Sequence, residues 1–78
     1  MIVGVSVVTS EYDLITHLMD VDTVDQAVHE FSIEASLLLN PDDRIFNLMV
    51  ESLNKNDFEF AEAIQSALTN LFGLEVPE

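Results

Sequence analysis

Hydrophobic positions along the chain begin as an unbroken run and then recur at spacings of three and four. Residues 2–8, Ile-Val-Gly-Val-Ser-Val-Val, are rich in β-branched side chains and bounded by Thr9 and Ser10, which predicts a buried strand. Ser10 then stands three residues before Asp13 in the manner of an N-cap, and Leu14, Ile15, Leu18 and Met19 share one face of a helix. The run Asp20-Val-Asp-Thr breaks that period. Thr23 followed by Gln26 forms a second capping signal and opens a helix over 23–39, with Val24, Ala27, Val28, Phe31, Ala35 and Leu38 as its apolar stripe. Within it Phe31, Ile33, Ala35, Leu37 and Leu39 also alternate as a strand would. The Glu, Ala and Leu content favours the helix.

Asn40-Pro41-Asp42-Asp43 reads as a third helix start, with Asn40 as cap, Pro41 at the first helical position and two carboxylates against the positive end of the dipole. Ile45, Leu48, Met49 and Leu53 would face inward, with Phe46 and Val50 widening the arc. Asn54 to Asp57 end this segment. Asn56 with Glu59 starts a fourth helix lined by Phe60, Ile64, Ala67, Leu68 and Leu71, and Gly73 closes it as a C′ residue. A short strand is expected at Leu74–Val76. The expected fold is therefore one domain over 1–78, mainly α, with three to four short helices and an N-terminal strand. It becomes α+β if 31–39 is a strand. A lone strand leaves unpaired backbone groups along both edges, so it needs the C-terminal tail, a second copy across a homodimer, or 31–39 as a strand for its partner.

Length and composition narrow the class. A chain of 78 residues, 49% hydrophobic, is too apolar to remain disordered. So short a chain buries only about 60% of its unfolded surface, and small domains of this kind often add a disulfide, a metal or a partner subunit. There is no cysteine, which removes disulfides and thiolate metal sites and is compatible with a reducing, cytoplasmic setting. The apolar N-terminus lacks a basic flank and falls short of the ~18 residues of a membrane span.

Charge changes the picture most. Fifteen Asp and Glu against two Lys and Arg give a formal charge of −13, which disfavours direct binding to nucleic acid or anionic membrane and favours a basic protein surface. Residues 1–43 hold nine carboxylates and no Lys or Arg. Arg44 and Lys55 fall on the expected third helix, in one stripe with Glu51, so the remainder is uniformly negative. Small acidic proteins, many of them from phages, block nucleic-acid-binding enzymes by placing carboxylates where phosphates would sit. An 8.7 kDa chain exposes about 4,700 Å², so an even spread is one carboxylate per ~300 Å². Duplex DNA carries about one charge per ~110 Å². Imitation of DNA therefore demands clustering on one side, or a dimer that aligns two acidic faces.

Asp13, Asp20, Asp22, Asp25, Asp42 and Asp43 are the candidate partner-binding residues. Ile33 and Leu37, opposite the main stripe of their helix, and Phe58, off the face of the last helix, are the candidate apolar interface.

Catalytic and metal chemistry find little footing. There is no Cys nucleophile and no glycine-rich loop, so an enzyme and a cofactor are not expected. The Asp-x-x-x-His spacings Asp13/His17 and Asp25/His29, with Asp20, match metal donors only in type. An EF-hand loop starting at Asp20 would put Val24, Asp25 and Phe31 at its fifth, sixth and twelfth places, where other residues are required. In size and charge the chain is similar to acyl carrier proteins, but their Asp-Ser-Leu signature is met only by Glu51-Ser52-Leu53, late in the expected third helix. The expected function is a non-enzymatic acidic protein that docks on a basic surface of a partner and occludes it. The alternative is an assembly module that self-associates through its apolar strand and helices.

Overall fold

The computed structural model describes residues 1–39, 42–54 and 57–74. Five elements follow one another: β1 (Ile2–Thr9), β2 (Leu14–Asp20), α1 (Val24–Leu38), β3 (Ile45–Ser52) and α2 (Phe58–Leu71). The strands form one antiparallel sheet in the order β2-β1-β3. The fold is therefore α+β and not mainly α.

Alternation along β1 sets the layers. Val3, Val5, Val7 and Thr9 are buried. Opposite them stand Met19, His17 and Ile15 on β2 and Ser52, Val50 and Leu48 on β3, which places these residues on the same face. Both helices cover that face. Ala27, Phe31 and Ala35 of α1 and Ala61, Ile64 and Leu68 of α2 join the strand residues in one core. Phe31 meets Phe72 edge-on at 5.9 Å between ring centroids, an aromatic geometry that adds to plain area burial.

Helix α1 matches its expected span. The Thr23 hydroxyl accepts from the Gln26 N–H at 3.1 Å, and the Gln26 side chain accepts from the Asp22 N–H at 2.9 Å, so two otherwise orphaned donors are satisfied. Residues 31–38 are helical, which settles the strand alternative for that segment. Helix α2 begins after Asp57 and ends as expected. Gly73 has φ 67°, its N–H donates to Asn70 O and the Leu74 N–H donates to Thr69 O, the double closure of a Schellman turn.

Two expected helices are strands. Residues 14–20 alternate, with Ile15, His17 and Met19 inward and Leu14, Thr16, Leu18 and Asp20 outward. Leu14, Ile15, Leu18 and Met19 do not share a face. Residues 45–52 are β3, and a register shift between Val8 and Thr9 produces the misleading spacing. That bulge puts Ile45 and Leu48, three apart, on the same side of the sheet, as a helix also would. The partner of β1 is likewise corrected. It is flanked on both edges by strands of its own chain, so neither the tail nor a second copy is needed to pair it. Asn40, Pro41, Lys55, Asn56 and residues 75–78, with the caps and tail strand expected there, lie outside the described residues.

Candidate interaction surfaces

The antiparallel register gives the sheet two ends. Ile2, Asp20 and Ser52 meet at one, and Thr9, Leu14 and Ile45 lie at the other. An eight-residue strand spans about 27 Å. The six candidate acids divide between these ends. Asp20, Asp22 and Asp25 sit where β2 turns into α1. Asp13 lies in the β1–β2 hairpin, and Asp42 and Asp43 precede β3. The chain does not bring the two sets together.

Each end has its own local chemistry. At the first, the Met1 ammonium donates to Asp20 Oδ1 at 2.9 Å and lies 3.8 Å from Asp22 Oδ1. The hydrogen bond to Asp20 raises the pKa of the amine above its ordinary value, with the charges of Asp20, Asp22 and Asp57 acting in the same sense against desolvation. At the second, the Ser10 hydroxyl donates to Asp43 Oδ1, and the Arg44 N–H is bonded to both Ser10 Oγ and Asp43 Oδ1. The hairpin is closed by Thr9, whose hydroxyl accepts from the N–H groups of Glu11 and Asp13. Tyr12 takes φ 63° there, a left-handed conformation that costs a non-glycine residue about 1 kcal/mol or more.

Apart from the Met1 pairs, the remaining approach of a nitrogen base to a carboxylate among the described residues is His17 Nε2 to Glu30 Oε2 at 3.9 Å. Among the described residues Asp13, Asp25 and Asp42 are exposed and in no ion pair.

Ile33 and Leu37 lie on the outer surface of α1, 49% and 74% exposed, and are not buried within the chain. Phe58, 69% exposed, opens α2 and lines a cleft of about 560 Å³ between α2 and β3, together with Glu51, Glu62, Gln65 and Thr69. The β3 edge beside this cleft is partly capped. The Val50 N–H donates to Gln65 Oε1 at 3.2 Å and the Leu48 N–H to Asn47 Oδ1 at 2.9 Å, which occupies strand donors that would otherwise recruit another chain.

The sheet face opposite the helices is the surface that the helical reading concealed. The outward residues of the strands include Ile2, Leu14, Leu18 and Met49. Phe46 lies at the bulge, Leu53 follows β3, and Tyr12 meets Phe46 edge-on at 6.3 Å. All seven are exposed. The carboxylates on this face, Asp20 and Glu51, both belong to the same end. The signal was present in residues 14–19, where both phases of the alternation are apolar: Leu14 and Leu18 outward, Ile15 and Met19 inward.

The expected donor spacings do not converge on a metal. His17 points into the core near Phe31, Asp20 points to the opposite face, and His29 is exposed on α1. No group of three or more His, Asp or Glu among the described residues is placed to hold an ion. Nor is any helix among them long and apolar enough to cross a membrane. No protein-family model matches the chain, and neither a curated protein nor a solved structure matches it.

Proposed function

We propose that this is a non-enzymatic binding protein of the cytoplasm that docks through its acidic ends onto a basic surface of another protein. The excess of carboxylates over cationic side chains, fifteen against two, supports this reading. Fifteen acids on 78 residues repel one another, and a cationic counter-surface relieves that repulsion while steering encounter. Asp20, Asp22 and Asp25 at one end, and Asp13, Asp42 and Asp43 at the other, are the contact groups. The test is capture of a partner at low salt, followed by affinity measurement across ionic strength. The partner is expected to be basic, its affinity to fall steeply with salt, and the triple substitution Asp20→Lys, Asp22→Lys, Asp25→Lys to abolish binding at that end. Affinity indifferent to salt contradicts the proposal.

A second reading, an assembly module, is favoured by a different observation: the open apolar sheet face. The two readings differ in the sign of the salt effect. Docking onto a cationic partner weakens with salt. Association of two like-charged copies strengthens with it, because screening reduces their mutual repulsion.

A further inference from the structure

We infer that a second copy of the chain covers the open sheet face, with strands running antiparallel across the interface, and that this pairing reunites the six acids that one copy keeps apart. Three observations carry this. The first is area. Tyr12, Leu14, Leu18, Phe46, Met49 and Leu53 are each more than half exposed. Two of them are aromatic, a class that buries about 150–250 Å² each, and with the four aliphatic side chains the patch offers on the order of 800 Å², the amount each partner gives to a standard interface.

The second is shape. Antiparallel sheets pack face to face at about 10 Å with strands nearly aligned, and a two-fold axis makes such a contact self-complementary. The third is the placement of charge. Asp20 and Glu51 share one end of the face. A two-fold axis along the strands would set these two carboxylates against their own copies. An axis across the strands sets them against the other end, where the face carries Leu14 and Phe46, so no two carboxylates of the face itself oppose each other, while the acids beyond the face gather at the two ends. The carboxylates of the face lie at one end only, so a basic partner covering the whole patch would meet mostly uncharged side chains.

The antiparallel arrangement has a consequence for the acidic ends. Asp20, Asp22 and Asp25 of one copy come beside Asp13, Asp42 and Asp43 of the other, so each end of the dimer displays all six. This step rests on the proposed docking function; the dimer itself does not. Tyr12 fits the same picture, since a strained turn residue holds an exposed aromatic ring at the rim of the patch, where such rings anchor interfaces.

The experiment is sedimentation of the full chain over about 5–200 µM, at about 0.05 and about 0.5 M salt. A monomer–dimer equilibrium is expected, tighter by about fivefold or more at high salt. Leu18→Lys, and Leu18→Ser as a milder change, should give monomers with an unaltered circular dichroism spectrum. A spin label on Asp22→Cys reads the orientation: a separation on the order of 30 Å is expected, whereas the parallel pairing gives about half that.

A deca-lysine peptide then tests the reunited acids, and the wild type should bind it at least about threefold more tightly than Leu18→Ser. A chain that stays monomeric at the highest concentration and salt overturns the inference and leaves the docking proposal to its own salt titration. A short label distance overturns the orientation. A dimer that binds deca-lysine no better than the monomeric variant overturns the reunion of acids and counts against the docking proposal.

Discussion

The two faces of β1 end in different surroundings, though both carry β-branched residues. Val3, Val5 and Val7 point toward the helices and are at most 2% exposed. Ile2, Gly4, Ser6 and Val8 point the other way and meet no second layer. A strand that served one covered face would alternate apolar with polar residues. Here Ile2 and Val8 on β1, Leu14 and Leu18 on β2, and Met49 on β3 put large apolar side chains on the outer face as well, around the hydroxyl contact of Ser6 and Thr16. Folding of the single chain therefore covers one side of the sheet and leaves the apolar residues of the other side exposed.

The comparison breaks most sharply under truncation. Phe31→Ala removes a side chain that is 2% exposed and in contact with Phe72 and His17. A loss of about 3–5 kcal/mol is expected, enough to unfold a domain of this size, with the far-ultraviolet circular dichroism and the urea midpoint as readouts. Leu18→Ser on the outer face should change the stability of dilute protein by less than about 0.5 kcal/mol, since Leu18 is 59% exposed in one copy. A loss near that of Phe31→Ala would mean that the outer face is already engaged within the chain.

A subtler contrast lies within the covered face. His17 sits opposite Val5, and its Nε2 is buried with no hydrogen-bond partner, 3.9 Å from Glu30. Burying an unpaired polar atom costs about 1–3 kcal/mol, and Leu fills a similar volume without that cost. His17→Leu is expected to stabilise the fold by about 1 kcal/mol in urea denaturation. Destabilisation would instead show that the Glu30 contact outweighs the unsatisfied nitrogen.

These contrasts explain which elements could be read from the sequence. β1, α1 and α2 were legible because their local signals agree with their packing: a β-branched run, the Thr23–Gln26 cap, and the Gly73 closure. β2 was not, because its outward Leu14 and Leu18 interleave with inward Ile15 and Met19, and doublets four apart are also the mark of a helix. β3 was hidden by its bulge, which shifts the phase between Ile45 and Leu48. Net charge does not report where charge gathers, so the division of Asp20, Asp22 and Asp25 from Asp13, Asp42 and Asp43 waited on the antiparallel topology. The open face is not legible in the sequence either, because an outward leucine has no distinct meaning until its strand is known.

Gly4 offers a test in which the two states of the outer face respond oppositely. A Cβ at this position would lie 3.1 Å from Leu18 Cδ2, the end of an exposed side chain with room to move. Replacing a strand glycine reduces the freedom of the unfolded chain, so Gly4→Ala should stabilise the dilute monomer by about 0.5 kcal/mol. In the antiparallel dimer, Leu18 must stay at its post and the added methyl group projects toward the second copy. The variant should therefore melt higher at low concentration and dimerise more weakly at high concentration. A parallel gain in both would remove Gly4 and Leu18 from the interface.

The smallest effect belongs to the rim of the open face, where the Met1 ammonium meets Asp20. The amine is held above its ordinary pKa of 8.0 by that hydrogen bond first and by neighbouring carboxylates after it. A raised folded-state pKa means that the folded chain binds the proton more tightly than the unfolded chain. Its stabilising contribution is complete below pH 8 and is lost as pH rises through the folded value. Both groups are accessible, with side-chain exposures of 35% and 76%, so solvent and salt screen the pair. The melting temperature of the wild type should fall slightly more between pH 7 and pH 10 than that of Asp20→Asn, and the difference should vanish in about 0.5 M salt. The variant carries the other groups that titrate over this range, so subtraction isolates the pair. Equal slopes at low salt would mean that this end of the face is held by strand pairing alone, as the hydrogen bond from the Val21 N–H to Met1 O allows.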